Sequence, residues 1–430
     1  MPVSEYEYRF PGELRPRQRD FRTHSPDQIN RLSASIAAYG FNQPVAIDAD
    51  NRIVCGAGLV AAAKKLGLNR IPVVVLDHLT EAQQRAYAVA ANKLTDMAGY
   101  DELELSLELS DLRSLFDTQE LPELGIATPE LDRLFALGDG ADGAGEDTIP
   151  ERTGTPLVKP GQRWDFGQHR LVAGSALEAA SYDLLLGDER AQFCLSDVPY
   201  NLTTDTFSTT GRHADFQQGA GEFTGPEFVR FLSTAMRHMA AWSSDGSIHM
   251  FFMSWHFLLE LLRAGNIVYD DLKTIITWVK PHPGLGSWYR SQSEFIAAFK
   301  KGKAPHINNL GNNGRNRGTV WEYDSLAQFS ADRDEQLAAH PTCKPVSLLA
   351  DAIRDNSHRG GIILDPFAGS GSLAIAAEQT GRVARLIELD PHYAEVALMR
   401  FEKQTGIEAR LFPTMETLSD LAAREPNDAR

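Results

Sequence analysis

Cysteine is scarce: Cys55, Cys194 and Cys343 are the three in 430 residues. They lie far apart and none stands in a Cys-x-x-Cys pair, which argues against a disulfide framework and a cysteine-based zinc site. His24, His78, His213, His282, His306 and His340 also lack ligand spacing, so no metal is expected. Long apolar runs are missing as well. The start, Met1-Pro-Val-Ser-Glu-Tyr-Glu-Tyr8, has no basic segment leading into an apolar one, and no stretch has the roughly 20 apolar residues needed to cross a bilayer. A cytoplasmic protein without membrane contact is expected. Basic charge is in short supply: 42 Lys and Arg stand against 58 Asp and Glu, a formal net charge of -16. Such a chain repels a polyanion on average, so contact with nucleic acid requires a local basic patch.

What is present is ordinary globular material, 43% hydrophobic and 23% charged, in a chain long enough for two or three domains. Ile29, Leu32, Ile36 and Tyr39 recur at helical spacing behind Ser25-Pro-Asp27 and before Gly40, predicting a helix over 25–40. A strand at Pro44 to Ile47, its hairpin partner at Asn51 to Cys55, an alanine-rich helix from Gly56 to Gly67, a strand at Ile71 to Leu76 and a helix starting at Thr80 follow. This order resembles the ParB/sulfiredoxin-like domain over about residues 9–98, giving a small α+β first domain within 1–98. Members of that family carry Gly-x-x-Arg at the helix start, where amides and arginine receive phosphate. Here Gly56-Ala-Gly-Leu59 has leucine in the arginine position, and the resemblance implies a DNA-docking accessory or a dimerisation module that would make the chain a homodimer.

Residues 99–137 read as an acidic helical connector, and 138–155, centred on Gly138-Asp-Gly-Ala-Asp-Gly-Ala-Gly-Glu-Asp147, as a flexible linker. In the second half, Ile362-Ile-Leu-Asp-Pro-Phe-Ala-Gly-Ser-Gly-Ser372 is an apolar strand entering a glycine turn and a helix from Leu373 to Thr380. Gly369 and Gly371 let a ligand approach the backbone and the free amides of the helix start. A second strand, Ala384-Arg-Leu-Ile-Glu-Leu-Asp390, ends in acid at the distance where a carboxylate accepts ribose hydroxyls. Upstream, Phe193-Cys-Leu-Ser-Asp-Val-Pro-Tyr-Asn-Leu202 is a buried strand that delivers an acid and an aromatic to its C-terminal edge.

Asp365-Pro-Phe-Ala-Gly-Ser-Gly371 with Glu388-Leu-Asp-Pro-His-Tyr393 is similar to the cofactor motif of the amino-group DNA methyltransferases. Asp197-Val-Pro-Tyr200 resembles their Asp-Pro-Pro-Tyr catalytic motif, with Val198 for the first proline. Catalytic before cofactor motif, with His340-Pro-Thr-Cys-Lys-Pro345 between them, is the permuted beta-class order. The resemblance implies a Rossmann-like seven-stranded α/β sheet over 156–412, a tail at 413–430 and S-adenosylmethionine as cofactor. Glu388 would meet the ribose, Asp365, Phe367, Asp390, Gly369 and Gly371 would line the site, and Lys344 and Thr342 would meet the methionine carboxylate. Asp197, Pro199 and Tyr200 would be catalytic, Tyr200 also stacking on a base flipped out of double-stranded DNA.

An exocyclic amino nitrogen shares its lone pair with the ring and attacks poorly, so a carboxylate and a carbonyl such as that of Val198, accepting its protons, direct the lone pair to the methyl group. Trp278 to Ser291 and Glu294 to Gly302 also resemble these enzymes, as a strand with a glycine-rich loop near the target base and an edge hairpin. Trp288, Tyr289 and Arg290 with Lys300, Lys301, Lys303, Arg315 and Arg317 form the expected DNA-binding patch. Adenine N6 is the expected target, with cytosine N4 or a DNA-binding adaptor of weakened activity as alternatives. The whole order is similar to modification methylases of bacteria, phages and mobile elements.

Overall fold

A computed structural model describes residues 6–17, 19–115, 124–138, 150, 155–202, 219–283, 288–311, 315–323 and 344–424. The chain divides into two units, Met1–Gly138 and Asp139–Arg430. The linker expected at 138–155 lies almost wholly outside the described residues, as do most of the loop at 203–224 and the stretch around Thr342.

In the first unit, β1 (Tyr6–Arg9), α1 (Pro26–Tyr39), β2 (Val45–Ile47), β3 (Ile53–Cys55), α2 (Ala57–Lys65), β4 (Ile71–Val75) and α3 (Glu81–Asp96) follow one another. The start signals read from the sequence act as caps. Ser25 accepts the Gln28 amide, and Thr80 and Gln83 form a reciprocal capping box. The sheet order is β1-β4-β2-β3, with β2 and β3 antiparallel and β2 parallel to β4. Val45, Ile47, Ile71 and Val73 alternate inward onto Val60 and Ala63 of α2. Leu59 packs against this same cluster. The acidic connector folds as two helices, α4 (Glu102–Leu115) and α5 (Thr128–Gly138), closed over Leu109, Leu134 and Phe135. The edge strand β1 was not legible in the sequence, because its alternate tyrosines face outward.

The second unit is a sheet covered on both faces. Its elements run β5 (Arg163–Phe166), β6 (His169–Ala173), α6 (Ala179–Leu186), β7 (Ala191–Ser196), α7 (Gly225–Ala241), β8 (Ser243–Met253), α8 (Leu258–Val268), β9 (Asp271–Val279), β10 (Ser293–Lys300) and β11 (Val320–Glu322). Then come α9 (Val346–Asn356), β12 (Ile362–Asp365), α10 (Ser372–Thr380), β13 (Val383–Glu388), α11 (Pro391–Thr405), β14 (Ala409–Phe412), β15 (Glu416–Thr417) and α12 (Leu418–Ala422). Strand period two sends alternate apolar side chains to opposite faces. Phe193, Leu195, Ile248, Met250, Phe252, Ile363 and Leu386 meet α9, α10 and α11 on one side. Cys194, Phe251, Met253, Leu364 and Ile387 meet α6, α7 and α8 on the other.

Among the described residues the sheet has eleven strands, in the order β11-β9-β10-β8-β7-β12-β13-β6-β5-β14-β15, which contain and extend the seven expected. The middle stretch from β9 to β6 supplies those seven, parallel except for β10. Beyond β6, the antiparallel strands β5, β14 and β15 extend it. This corrects the expected tail at 413–430: Glu416–Ala422 folds back on the sheet because Leu418 has an apolar seat in the core. The expected edge hairpin is also corrected. β10 is bonded on both sides, by β8 and β9, and the short β11 lies outside β9. No helix among the described residues is long and apolar enough to cross a membrane.

Candidate active site

Strand order reverses between β7 and β12. From β7 the chain goes outward to β8, and from β12 the opposite way to β13; all four are parallel, so their C-terminal ends open on one crevice. Three acids reach it: Asp197 directly after β7, Asp365 at the end of β12 and Glu388 at the end of β13. The cleft runs between Asp197, Phe252, Lys344, Asp365, Phe367, Gly369 and Ser370.

The glycine turn is built from the inside. Gly369 and Gly371 have φ of 53° and 80°, in the left-handed region. The Gly369 amide donates to Glu388 Oε2 at 2.7 Å, and the Asp390 amide to Oε1 at 2.9 Å. Burial outweighs these two bonds and pushes the Glu388 carboxyl up to about 7. Asp365 Oδ1 accepts the Ser196 hydroxyl at 2.7 Å and the Phe367 amide at 3.0 Å, and burial pushes it also up to about 7. Asp390 caps α11 by accepting the His392 amide at 2.9 Å. Beneath the turn, the fully buried Arg400 donates to the Ser370 carbonyl and to the Ser370 and Ser372 hydroxyls, fixing the loop from below.

Gly371 serves packing. A Cβ there would stand 2.8 Å from the Ala397 Cβ of α11. Gly371→Ala therefore meets both a clash and a disfavoured φ, costing roughly 1–3 kcal/mol. At roughly 2–4 °C per kcal/mol, thermal unfolding of this unit should drop by several degrees. A melting temperature within one degree of wild type would sink this account of the turn.

On the catalytic side, Asp197 Oδ2 accepts from Lys344 Nζ at 2.6 Å, while Oδ1 is buried and has no hydrogen-bond partner among the described residues. Burial raises the Asp197 pKa against the pull of Lys344. The Tyr200 hydroxyl donates to Glu294 Oε2 at 2.7 Å. Asn201, itself at φ 53°, ends this loop by donating to the Phe223 carbonyl and accepting the Gly221 and Phe223 amides. Val198 is buried in the core on the α7 side of the sheet, so packing holds the backbone where a proline ring would stiffen it.

The structure thus lines the cleft with Asp197, Asp365, Phe367, Gly369 and Lys344, ties Glu388, Asp390 and Gly371 to it through the glycine turn and Tyr200 through Glu294 and Lys344, and leaves Pro199 on the same loop as Asp197. Lys344 departs from the expectation, since its ammonium is engaged by Asp197 and, at 3.4 Å, by Glu294. Arg315 and Arg317 are a correction. Both pair with Asp351 and Asp355, and Arg317 also meets the Tyr323 hydroxyl, so they tie their segment to α9 rather than offer charge to a polyanion. Lys301 donates to the Ser243 carbonyl, whereas Lys303 is exposed and Lys300 half-buried. Trp288 and Tyr289 are 84% and 86% exposed, and Arg290 donates to the Pro283 carbonyl. Thr342 lies outside the described residues. Sequence reasoning missed Ser196, Glu294 and Arg400. The one available signal was an acid inside the apolar run Ser293-Glu-Phe-Ile-Ala-Ala-Phe299. Among the described residues no group of acids, histidines and cysteines is arranged to hold a metal.

Residues 191–399, the span holding this crevice, match the family described as DNA methylase, the N6/N4 type, and residues 10–93 match the ParB N-terminal domain. The chain joins a ParB N-terminal domain to an amino-group DNA methylase domain. The ParB domain is similar to the ParB-like nuclease domain-containing protein YnaK of Escherichia coli (strain K12), 41% identical over 78 residues, 18% of this chain and 90% of that protein. The methylase domain is similar to the type II methyltransferase M.HpaI of Haemophilus parainfluenzae, with 26% identity over 279 residues, 60% of this chain and 80% of that protein. Among solved structures, that of M1.HpyAVI with SAM aligns at a TM-score of 0.41 and 20% identity, covering 54% of this chain and 98% of that one. The cofactor of DNA methylases of this family is S-adenosylmethionine.

Proposed function

We propose that the methylase domain transfers a methyl group to adenine N6 in duplex DNA, in the cytoplasm, with its ParB domain as a docking accessory. The observation that carries the reading is Asp197 Oδ1: a buried carboxylate oxygen with no partner among the described residues, on a side chain lining the crevice that also holds the glycine turn. A buried unpaired acceptor costs about 1–3 kcal/mol, and an amino N–H arriving there relieves that cost.

The residues present fit the cofactor. Glu388 offers a carboxylate at the end of β13, Gly369 offers backbone without a side chain, and Asp365, Phe367 and Asp390 flank them. When bound, S-adenosylmethionine supplies an electrophilic methyl group on sulfur. The protein does the rest by placement. Asp197 Oδ1 accepts one amino proton, which turns the nitrogen lone pair out of the base ring, and Tyr200 offers its ring for stacking. Asp197 Oδ1, already the acceptor of that N–H, would take the proton that the nitrogen sheds as the methyl group leaves sulfur for nitrogen. The exposed Trp288 and Tyr289, with Arg290, precede the end of β10 that pairs with the C-terminal end of β8 and suit DNA there, whereas Lys300, Lys301 and Lys303 lie at the opposite end of that strand. Leu59, partly buried against the core of that domain and without a charge, supports docking rather than phosphate clamping by the ParB domain. An acid before the Pro199-Tyr200 pair favours adenine over cytosine.

Incubating the chain with duplex DNA and methyl-labelled cofactor, then digesting to nucleosides, should place the label in N6-methyldeoxyadenosine. Label in N4-methyldeoxycytidine would overturn the choice of base, and none in DNA would overturn the reading.

A further inference from the structure

Glu294 stands on β10 opposite Trp278 and is followed by the buried Ile296, Ala297 and Ala298. Its side chain is 14% exposed. A carboxylate in such surroundings loses several kcal/mol of hydration and is tolerated only with close partners. Glu294 has three. Lys280 Nζ donates to Oε1, while Oε2 accepts the Tyr200 hydroxyl at 2.7 Å and lies 3.4 Å from Lys344 Nζ. Burial would raise its pKa, yet the two ammonium groups and the hydroxyl bring it down to about 2. Lys344 Nζ in turn sits 2.6 Å from Asp197 Oδ2 and over the Tyr200 ring, 5.2 Å from its centroid.

Two branches of this network, through Tyr200 and through Lys344, end on the catalytic loop. Tyr200 has its ring held by the hydroxyl at one end and by the Lys344 ammonium over its face. Asp197, which lines the cleft, has one oxygen occupied by Lys344 and the other buried with no hydrogen-bond partner among the described residues. A buried ionic cluster of this kind is a poor stability device, since apolar residues of equal volume serve as well or better. Its use is geometric. We infer that Glu294 is a positioning residue, resting on the methyl-transfer reading above: it fixes the Tyr200 ring plane and holds Lys344 against Asp197, so that Oδ1 alone is presented to the target amino group.

The test uses the full chain with Glu294→Ala, Glu294→Gln, Tyr200→Phe and the Glu294→Ala/Tyr200→Phe pair, measuring kcat and KM on duplex DNA and KM for the cofactor. Small displacements of reacting groups cost up to about 10²-fold, so Glu294→Ala should lower kcat about 10- to 100-fold while KM for the cofactor stays within about twofold. Glu294→Gln keeps one acceptor for the tyrosine hydroxyl but turns its amide nitrogen toward an ammonium group, so it should recover only part of that loss. Removing the hydroxyl should add less than about twofold once Glu294 is gone, because residues of one network are not additive. A kcat for Glu294→Ala within twofold of wild type, or multiplicative effects in the double variant, would overturn this role while the wild type stays active. If Glu294→Ala does not fold, Glu294→Gln and Tyr200→Phe and their double variant decide by the same additivity. A wild-type chain that transfers no methyl group overturns the functional reading, and this role with it.

Discussion

Asp197→Asn is expected to abolish methyl transfer while leaving cofactor binding and folding almost unchanged. The substitution preserves volume, so Val198 keeps its seat in the core and the loop its anchor at Asn201. What changes is charge and direction. Asp197 Oδ2 is held by Lys344, which leaves Oδ1 for the target amino group. In asparagine one of these atoms becomes a donor: facing Lys344 it sets two donors together, and facing the substrate it meets an amino N–H with another N–H. Neither arrangement accepts the amino proton while satisfying the lysine. Losing one preorganised polar partner of a transition state costs about 10²–10³-fold, and here the proton acceptor goes as well, so turnover should fall at least that far. Incorporation of labelled methyl into duplex DNA measures it, with calorimetry confirming that the cofactor still binds. Activity above a tenth of wild type would remove Asp197 from the chemistry.

The sequence motifs that name chemistry were legible because close approach and chirality admit few residue types. Gly369 and Gly371 both occupy positive φ, and the acids predicted at strand ends do end strands or follow them. The doubly covered sheet was legible from near-continuous apolar strands such as Phe193 to Leu195 and Ile362 to Leu364. What escaped was whatever depends on partners distant in sequence. Lys344 reads as a cofactor ligand by its place in the motif order, but its ammonium is claimed by Asp197 and Glu294, far off along the chain. Arg315 and Arg317 read as a basic patch because no acid is near in sequence, yet Asp351 and Asp355, one helical turn apart on α9, neutralise them. The extension by β5, β14 and β15 was invisible for the same reason, being antiparallel pairing of short segments from both ends of the domain.

Glu388→Ala should weaken S-adenosylmethionine binding about 10- to 100-fold, since a hydrogen bond to a charged group is worth roughly 1.5–3 kcal/mol and the glycine turn loses its internal acceptor. The turn contributes because the Gly369 and Asp390 amides both donate to this carboxylate. The pH dependence separates binding from folding. Burial raises Glu388 and Asp365 to about 7, above their ordinary values of 4.5 and 3.8. The folded, cofactor-free protein therefore favours their protonated forms, and the part of its stability due to these groups declines as pH rises from about 4 through 7. Cofactor binding runs the other way. Ribose hydroxyls donate to the ionised carboxylate, so affinity should rise several-fold between pH 6 and pH 8 as Glu388 loses its proton. The increase in melting temperature on adding cofactor should thus be larger at pH 8 than at pH 6. That difference should shrink in Glu388→Ala, where Asp365 keeps its raised pKa but the ribose acid is gone. Equal increases at both pH values in the wild type would mean that Glu388 does not carry the ribose, and the glycine turn would need another acid to complete it.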